Sequence, residues 1–279
     1  MLSSLTDLMG PAAAAGVGVG AFNVFSIEHA EALVAGADGA GQPVVLQISQ
    51  NAVRYHRALA PIALATLAIA GASRVPAVVH LDHATEVDLV GEALELGFTS
   101  VMFDASALPY DDNVAATAEV VRRCHARGVS VEAELGEVGG KDGVHAPGAR
   151  TRPDEAAAFV DATGIDALAV AVGSSHAMTE RRAQLDLALV TELAAAVPVP
   201  LVLHGSSGVA DDEIVRAVRA GMTKINIATH LNAVFTGVVR TTLDAQPDLV
   251  DSRKYLGPAR DAVAAEVERL LRMLSSAPG

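Results

Sequence analysis

Apolar residues in this chain fall into short continuous runs, and each run is followed by a longer segment with helical spacing. Eight runs read as strands: Val17–Val24, Pro43–Ser49, Ala77–Asp82, Ser100–Asp104, Ser130–Leu135, Ala167–Val172, Pro200–His204 and Thr223–Ile227. Between them, helical patterns cover Ile27–Gly39, Pro61–Ala72, Glu86–Leu96, Asn113–Arg127, Pro153–Thr163, Asp186–Ala196 and Asp211–Ala220. Most strand runs are unbroken, as expected when both faces are covered. Gly97, Gly128, Gly164 and Gly221 stop a helix before the next strand. This alternation predicts an α/β fold, a (β/α)8 TIM barrel formed as a single domain over residues 1–279. Residues 1–15 predict a helix capping the bottom of the barrel. His230–Leu243 and Pro258–Leu274 predict a C-terminal helical extension.

Composition narrows the picture. A chain of 279 residues that is 51% hydrophobic suits one large domain. Aromatic residues make up only 3% and Trp is absent, so the core is built from Ala, Val, Leu and Ile. The net charge of −13 argues against a nucleic-acid partner, which needs basic patches. The most apolar stretch, Ala58–Ala72, is interrupted by Pro61, Thr66 and Gly71 and reads as a packed helix, not a membrane span. Met1–Gly10 lacks the pattern of a signal peptide, and the one cysteine, Cys124, allows no internal disulfide. A cytoplasmic location is the expectation.

In such a barrel the chemistry sits at the C-terminal strand ends. Read in order, those ends carry Ser49; Asp82 and His83; Asp104 and Ser106; Glu132 and Glu134; Gly173 to His176; His204 to Gly208; and Asn226 with Thr229. Three of the runs end in histidine: VVHLDH at His83, LAVAVGSSH at His176 and LVLH at His204. Three imidazoles converging on one rim would hold a divalent metal and leave a coordination position open. Adjacent strand residues point to opposite faces, so Asp82 and His83 share the site only if the strand breaks between them. HGSSG after strand seven offers backbone N–H groups and hydroxyls where barrels commonly bind phosphate, and NIAT after strand eight adds an amide and a hydroxyl. The glycine-rich stretch Gly136–Arg152 follows strand five and reads as a lid.

Several segments together resemble the class II, metal-dependent ketose-bisphosphate aldolases. They are AFNVFSIEHAEA, HLDHA, MFDAS, VEAELGEVGG, LAVAVGSSH, LVLHGSSG, KINIAT and DSRKYLGPAR. The resemblance spans nearly the whole chain. Its short length, and NIAT in place of an aspartate-containing version, look most like the tagatose-bisphosphate aldolase branch. The resemblance implies zinc on His83, His176 and His204, with Asp104 and Glu134 as further contacts of the metal or its ligands. It implies that Asp82 is the proton donor to the aldehyde oxygen. Ser49, Gly205, Ser206, Ser207, Asn226, Ile227, Ala228 and Thr229 would hold dihydroxyacetone phosphate. Arg253 would reach the distal phosphate in a neighbouring subunit of a homodimer or homotetramer. Two departures stand out. Ala177 replaces a glycine that lets backbone approach a phosphate or an additional monovalent cation. Gly139–Gly140 is followed by Lys141, Asp142 and Gly143 instead of the family's glutamate, leaving Asp142 or Glu137 to move the C1 proton.

The activity implied is reversible cleavage of a ketose 1,6-bisphosphate, tagatose or fructose, into dihydroxyacetone phosphate and glyceraldehyde 3-phosphate. Zinc would stabilise the enediolate as a Lewis acid, and Asp82 would take the C4 hydroxyl proton and return it in condensation. Three alternatives remain open. One is an aldolase for another phosphorylated ketose or keto-acid. Another is a Schiff-base aldolase using Lys141, Lys224 or Lys254, of which only Lys224 lies on a strand. The third is a non-catalytic sugar-phosphate binding protein on the same barrel.

Overall fold

The computed structural model describes residues 1–135, 150–174 and 181–276. Its strands are β1 (Val19–Asn23), β2 (Val44–Ser49), β3 (Ala77–Ala84), β4 (Ser100–Phe103), β5 (Ser130–Leu135), β6 (Ala167–Val170), β7 (Leu201–Leu203) and β8 (Met222–Ile227). They close into a barrel in sequence order, each strand parallel to its neighbours and β8 pairing with β1. Helix α1 (Leu5–Ala15) precedes the barrel. The connecting helices are α2 (Ile27–Ala40), α3 (Gln50–His56), α4 (Ala60–Gly71), α5 (Val87–Leu96), α6 (Tyr110–His125), α7 (Pro153–Thr163), α8 (Leu187–Ala196) and α9 (Asp211–Ala220). Helices α10 (Thr229–Ala245) and α11 (Arg253–Ser275) follow β8. No helix among the described residues is long and apolar enough to cross a membrane.

The eight strands and the TIM barrel agree with the pattern of the sequence, and the differences have local causes. Helix α3 is too short, at seven residues, to display a helical period; Ser49 caps it by accepting from the Ala52 N–H at 3.2 Å. Helix α11 begins at Arg253, not at Pro258, because this proline sits inside the helix instead of in its first turn. Strand β3 runs past Asp82 to Ala84, and the reason lies in the site described below.

The barrel separates two cores. The outward strand residues, such as Phe22, Leu46, Val79, Leu81 and Val131, pack under the surrounding helices. The inward residues of the lower half, Val19, Ala21, Val45, Val78, Ala167, Ala169 and Val202, pack against Leu5, Leu8, Met9 and Ala12 of α1. These four recur at helical spacing, so α1 presents one apolar stripe to the barrel floor. Ser4 caps α1 by accepting from the Asp7 N–H at 3.1 Å, and Gly16 ends it in the left-handed region with φ 66°. The chain before α1 is tied down as well. Ser3 N–H donates to the Ala77 carbonyl at 3.0 Å, and the Met1 amino group donates to the Ser73 carbonyl at 2.8 Å. The sequence therefore supplies a plug at one end of the barrel and leaves the other end for polar groups.

Candidate metal centre and active site

In the upper half of the barrel the inward period of two continues with polar residues. Above Val45 come Gln47 and Ser49; above Val78 come His80 and Asp82; Ser130 is followed by Glu132 and Glu134; Lys224 is followed by Asn226. All but Ser49 are buried. Their outward neighbours, Leu46, Ile48, Val79, Leu81, Val131 and Ala133, remain apolar. The runs look continuous in sequence because a polar inner face alternates with an apolar outer one.

His83 breaks this period. It is one of two non-glycine residues with positive φ among the described residues, at 49°, and the β3–β4 register shifts between Leu81 and Ala84. A β-bulge of this kind re-aims a side chain at a cost in backbone strain. It lets Asp82 and His83 serve the same site without ending the strand. The expected break between them is thus a bulge inside a longer strand. Asp104 accepts from His83 Nδ1 at 2.9 Å through Oδ2, while its Oδ1 accepts from the Ser106 hydroxyl at 2.6 Å. This leaves the other ring nitrogen of His83 facing away from Asp104.

His204, fully buried, lies between two glutamates. Its Nε2 is 3.0 Å from Glu132 Oε1, and its Nδ1 is 3.1 Å from Glu134 Oε2. Its ring meets that of His83 edge to face, with centroids 4.7 Å apart. Donor atoms of His83, Glu134 and His204 all lie within 4.8 Å of one another, close enough for one ion to touch all three. Asp104 stands behind His83, outside that converging set.

The charges around this cluster match a cation. Burial pushes the imidazolium of His204 down, but hydrogen bonds to Glu132 and Glu134 outweigh it and raise the group to about 9. Burial raises the Glu132 carboxyl, yet the Lys224 ammonium and His204 hold it below the usual carboxylate range. His80 is lowered to about 3, first by burial and then by Lys224. Four buried carboxylates, Asp82, Asp104, Glu132 and Glu134, share the site with Lys224, the only lysine or arginine buried among the described residues. Four carboxyl side chains thus surround one ammonium group. A site that binds a proton on His204 so tightly also suits a divalent ion on the same donors. The donor set of two imidazoles and a carboxylate fits zinc and other transition metals.

Asp82 is buried beside the cluster. Burial alone would raise its carboxyl, but His83 and Lys224 lead the positive groups that hold it below the usual range, so it is ionised. Its Oδ2 accepts from Asn23 Nδ2 at 3.2 Å, and Asn23 Oδ1 accepts from Gln47 Nε2 at 3.3 Å. Its Oδ1 has no hydrogen-bond partner among the described residues and can accept a proton. Asn23, Gln47 and His80 belong to this polar interior, although no role was expected of them; Glu132 was expected at the rim, and Lys224 only as the lysine of the Schiff-base alternative. Their signal was the inward spacing of two in each strand.

The loops after β7 and β8 meet. Ser207 Oγ accepts from the backbone N–H groups of Ala228 and His230, at 3.2 and 3.3 Å, at the start of α10. Gly205 adopts the left-handed region with φ 69° and opens the turn Ser206–Gly208. Ser206 turns its hydroxyl inward to the Leu203 carbonyl at 3.1 Å. Asn226 lies on the inner face, and its Oδ1 has no hydrogen-bond partner among the described residues. Ile227 faces the outer core, so only its backbone is available to a ligand. Thr229 begins α10. Ser49 ends β2 opposite Asp82 and is used in part to cap α3. Arg253 is outside this constellation; its side chain is 88% exposed and pairs with Asp251 at 2.9 Å. His176, Ala177 and the lid residues Glu137, Lys141 and Asp142 lie outside the described residues. Thr151 Oγ1 donates to the Leu135 carbonyl at 3.2 Å, which ties the chain before α7 to the end of β5.

Known proteins are similar to this chain over nearly its whole length. Residues 3–278 match the family model described as fructose-bisphosphate aldolase class-II. A probable fructose-bisphosphate aldolase of Bacillus subtilis (strain 168) is 39% identical over 279 residues, covering 99% of this chain and 98% of that protein. A fructose-bisphosphate aldolase of Thermus caldophilus is 38% identical over 304 residues, covering 99% of each. Among solved structures, the YdjI aldolase of Escherichia coli K12 superposes with a TM-score of 0.86 at 30% identity, over 100% of this chain and 99% of that one.

Proposed function

The chain belongs to the class II fructose-bisphosphate aldolase family, a family of lyases, and from that premise we propose that it cleaves fructose 1,6-bisphosphate reversibly with zinc bound. The products are dihydroxyacetone phosphate and glyceraldehyde 3-phosphate. The reading is carried by one observation, the meeting of His83, His204 and Glu134 beside the ionised Asp82. Fructose is placed first because the similar relatives are named for it. The tagatose epimer is the second reading, favoured by NIAT at Asn226–Thr229.

Zinc would sit on His83 and His204, with His176 as a third imidazole and Glu134 within reach. When bound, it would supply a Lewis acid for the negative charge that develops as the C3–C4 bond breaks. Asp82 takes the C4 hydroxyl proton through its open Oδ1 and gives it back in condensation. Asn23 holds the other oxygen of Asp82, so the base keeps one orientation. Asp104 fixes the ring of His83 from behind. The turn at Gly205–Ser207 and the backbone of Asn226–Thr229 bind the phosphate of dihydroxyacetone phosphate at the start of α10. Asp142 exchanges the C1 proton. Arg253, which points to solvent in its own subunit, serves a neighbour's distal phosphate in a homodimer or homotetramer. The cytoplasm is the proposed location.

The test is a coupled assay on protein stripped by a chelator and then reloaded. Fructose 1,6-bisphosphate should be cleaved with zinc and not without it, and faster than its tagatose epimer. Absence of turnover with every ketohexose 1,6-bisphosphate, at full zinc occupancy, would overturn the proposal.

A further inference from the structure

Glu132 and Lys224 face each other inside the barrel, one inward position below the rim. Both are fully buried. The two oxygens of Glu132 are divided between partners. Oε1 lies 3.0 Å from His204 Nε2, and Oε2 lies 2.8 Å from Lys224 Nζ. His80 Nε2 stands 3.8 Å from Oε2, and His80 Nδ1 is held by Ser100 Oγ at 2.8 Å.

An imidazole can offer a metal only the edge that carries no proton. A carboxylate in hydrogen-bond contact with Nε2 fixes the proton there and leaves Nδ1 for the ion. Nδ1 is the nitrogen of His204 that faces Glu134. A lone carboxylate buried at this depth would compete with Glu134 for any cation or proton in the site. The Lys224 ammonium engages its second oxygen and supplies the opposing charge. We infer that Glu132 and Lys224 form a pair of positioning residues that fix the tautomer and orientation of His204 and so set the affinity of the metal site. This rests on the metal reading above.

A buried ion pair could instead serve the fold alone, and the two roles separate by experiment. Glu132→Gln by itself strands a buried ammonium, so the informative variant is Glu132→Gln/Lys224→Met, which removes both charges with little change of volume. The metal-free double variant should unfold near the wild-type midpoint. Its zinc affinity, read by competition with a chromophoric chelator, should fall 10- to 100-fold. The visible spectrum of the cobalt-loaded protein, which reads ligand geometry, should change as well. Wild-type zinc affinity together with an unchanged cobalt spectrum would overturn the inference. If the double variant does not fold, Glu132→Asp decides. It keeps the charge beside Lys224 and withdraws the carboxylate from Nε2, so unaltered zinc affinity would again overturn the pairing role. A wild-type protein that takes up no zinc would overturn the metal reading as well, whereas failure in the variants alone leaves that reading standing.

Discussion

The two halves of the barrel interior are built from the same eight strands and the same alternation, yet they are filled in opposite ways. Below, Val, Ala and the Leu5, Leu8 and Met9 side chains of α1 make an apolar plug. Above, Gln47, His80, Asp82, Glu132, Glu134, His204, Lys224 and Asn226 occupy equivalent inward positions. Apolar filling is non-directional and contributes about 25 cal/mol per Å² removed from water. Polar filling of the same space must satisfy each group and costs stability unless charges are paired. The lower half therefore holds the barrel closed, and the upper half spends some of that stability on a fixed array of charges. This division makes separate demands on substitutions at the two ends.

The largest effect is expected at the upper end. Asp82→Ala should keep its zinc, because Asp82 is outside the converging ligand set, and should lose about 10²- to 10⁴-fold in turnover. The check is metal content by atomic spectroscopy beside the coupled assay. A variant that cleaves at the wild-type rate would remove Asp82 from the chemistry and leave the polar end without its base.

Next in size is the converse change. Met9 is 1% exposed in the plug, so Met9→Ala should lower unfolding free energy by about 2–5 kcal/mol through lost burial and a residual cavity. Turnover at 25 °C and zinc affinity should be unchanged, read by denaturant titration and the same assay. Equal losses in stability and turnover would show that the two ends are not independent.

The difference between the halves also explains what the sequence disclosed. Strand runs and helical periods mark the outer core, where each apolar residue has an apolar neighbour, so the barrel was legible. Histidines and carboxylates at run ends marked the rim for the same reason. Three things were hidden. Glu132, Lys224 and His80 are buried one position inside the rim, where spacing alone cannot say which charges will pair across the barrel. The positive φ of His83 is a property of β3–β4 register and not of the HLDH string itself. The role of Asn23 depends on β1 lying beside β2 and β3, which only closure of the barrel supplies.

The smallest predicted effect tests the polar interior through pH. His80 is neutral in the fold, with its imidazole lowered to about 3 by burial and by Lys224, while Asp82, Glu132 and His204 supply the other nearby charges. In the unfolded chain it titrates near 6.5. The unfolded state therefore takes up a proton that the folded state refuses, and stability present above pH 6.5 is lost as pH falls toward 3. The slope is at most about 1.4 kcal/mol per pH unit for this one group. In metal-free protein His204, raised to about 9, stays protonated in the fold while its unfolded counterpart fills only below pH 6.5, which adds a small opposing slope common to both proteins. His80→Asn keeps a polar atom toward Ser100 and removes the titration. Denaturant midpoints of the metal-free proteins between pH 6.5 and 5 should fall less steeply for this variant than for the wild type, whereas Met9→Ala should lower them equally at each pH. Parallel slopes for wild type and His80→Asn would mean that the upper interior admits water and protons freely, and the contrast between an apolar floor and a closed, charge-ordered upper half would fail.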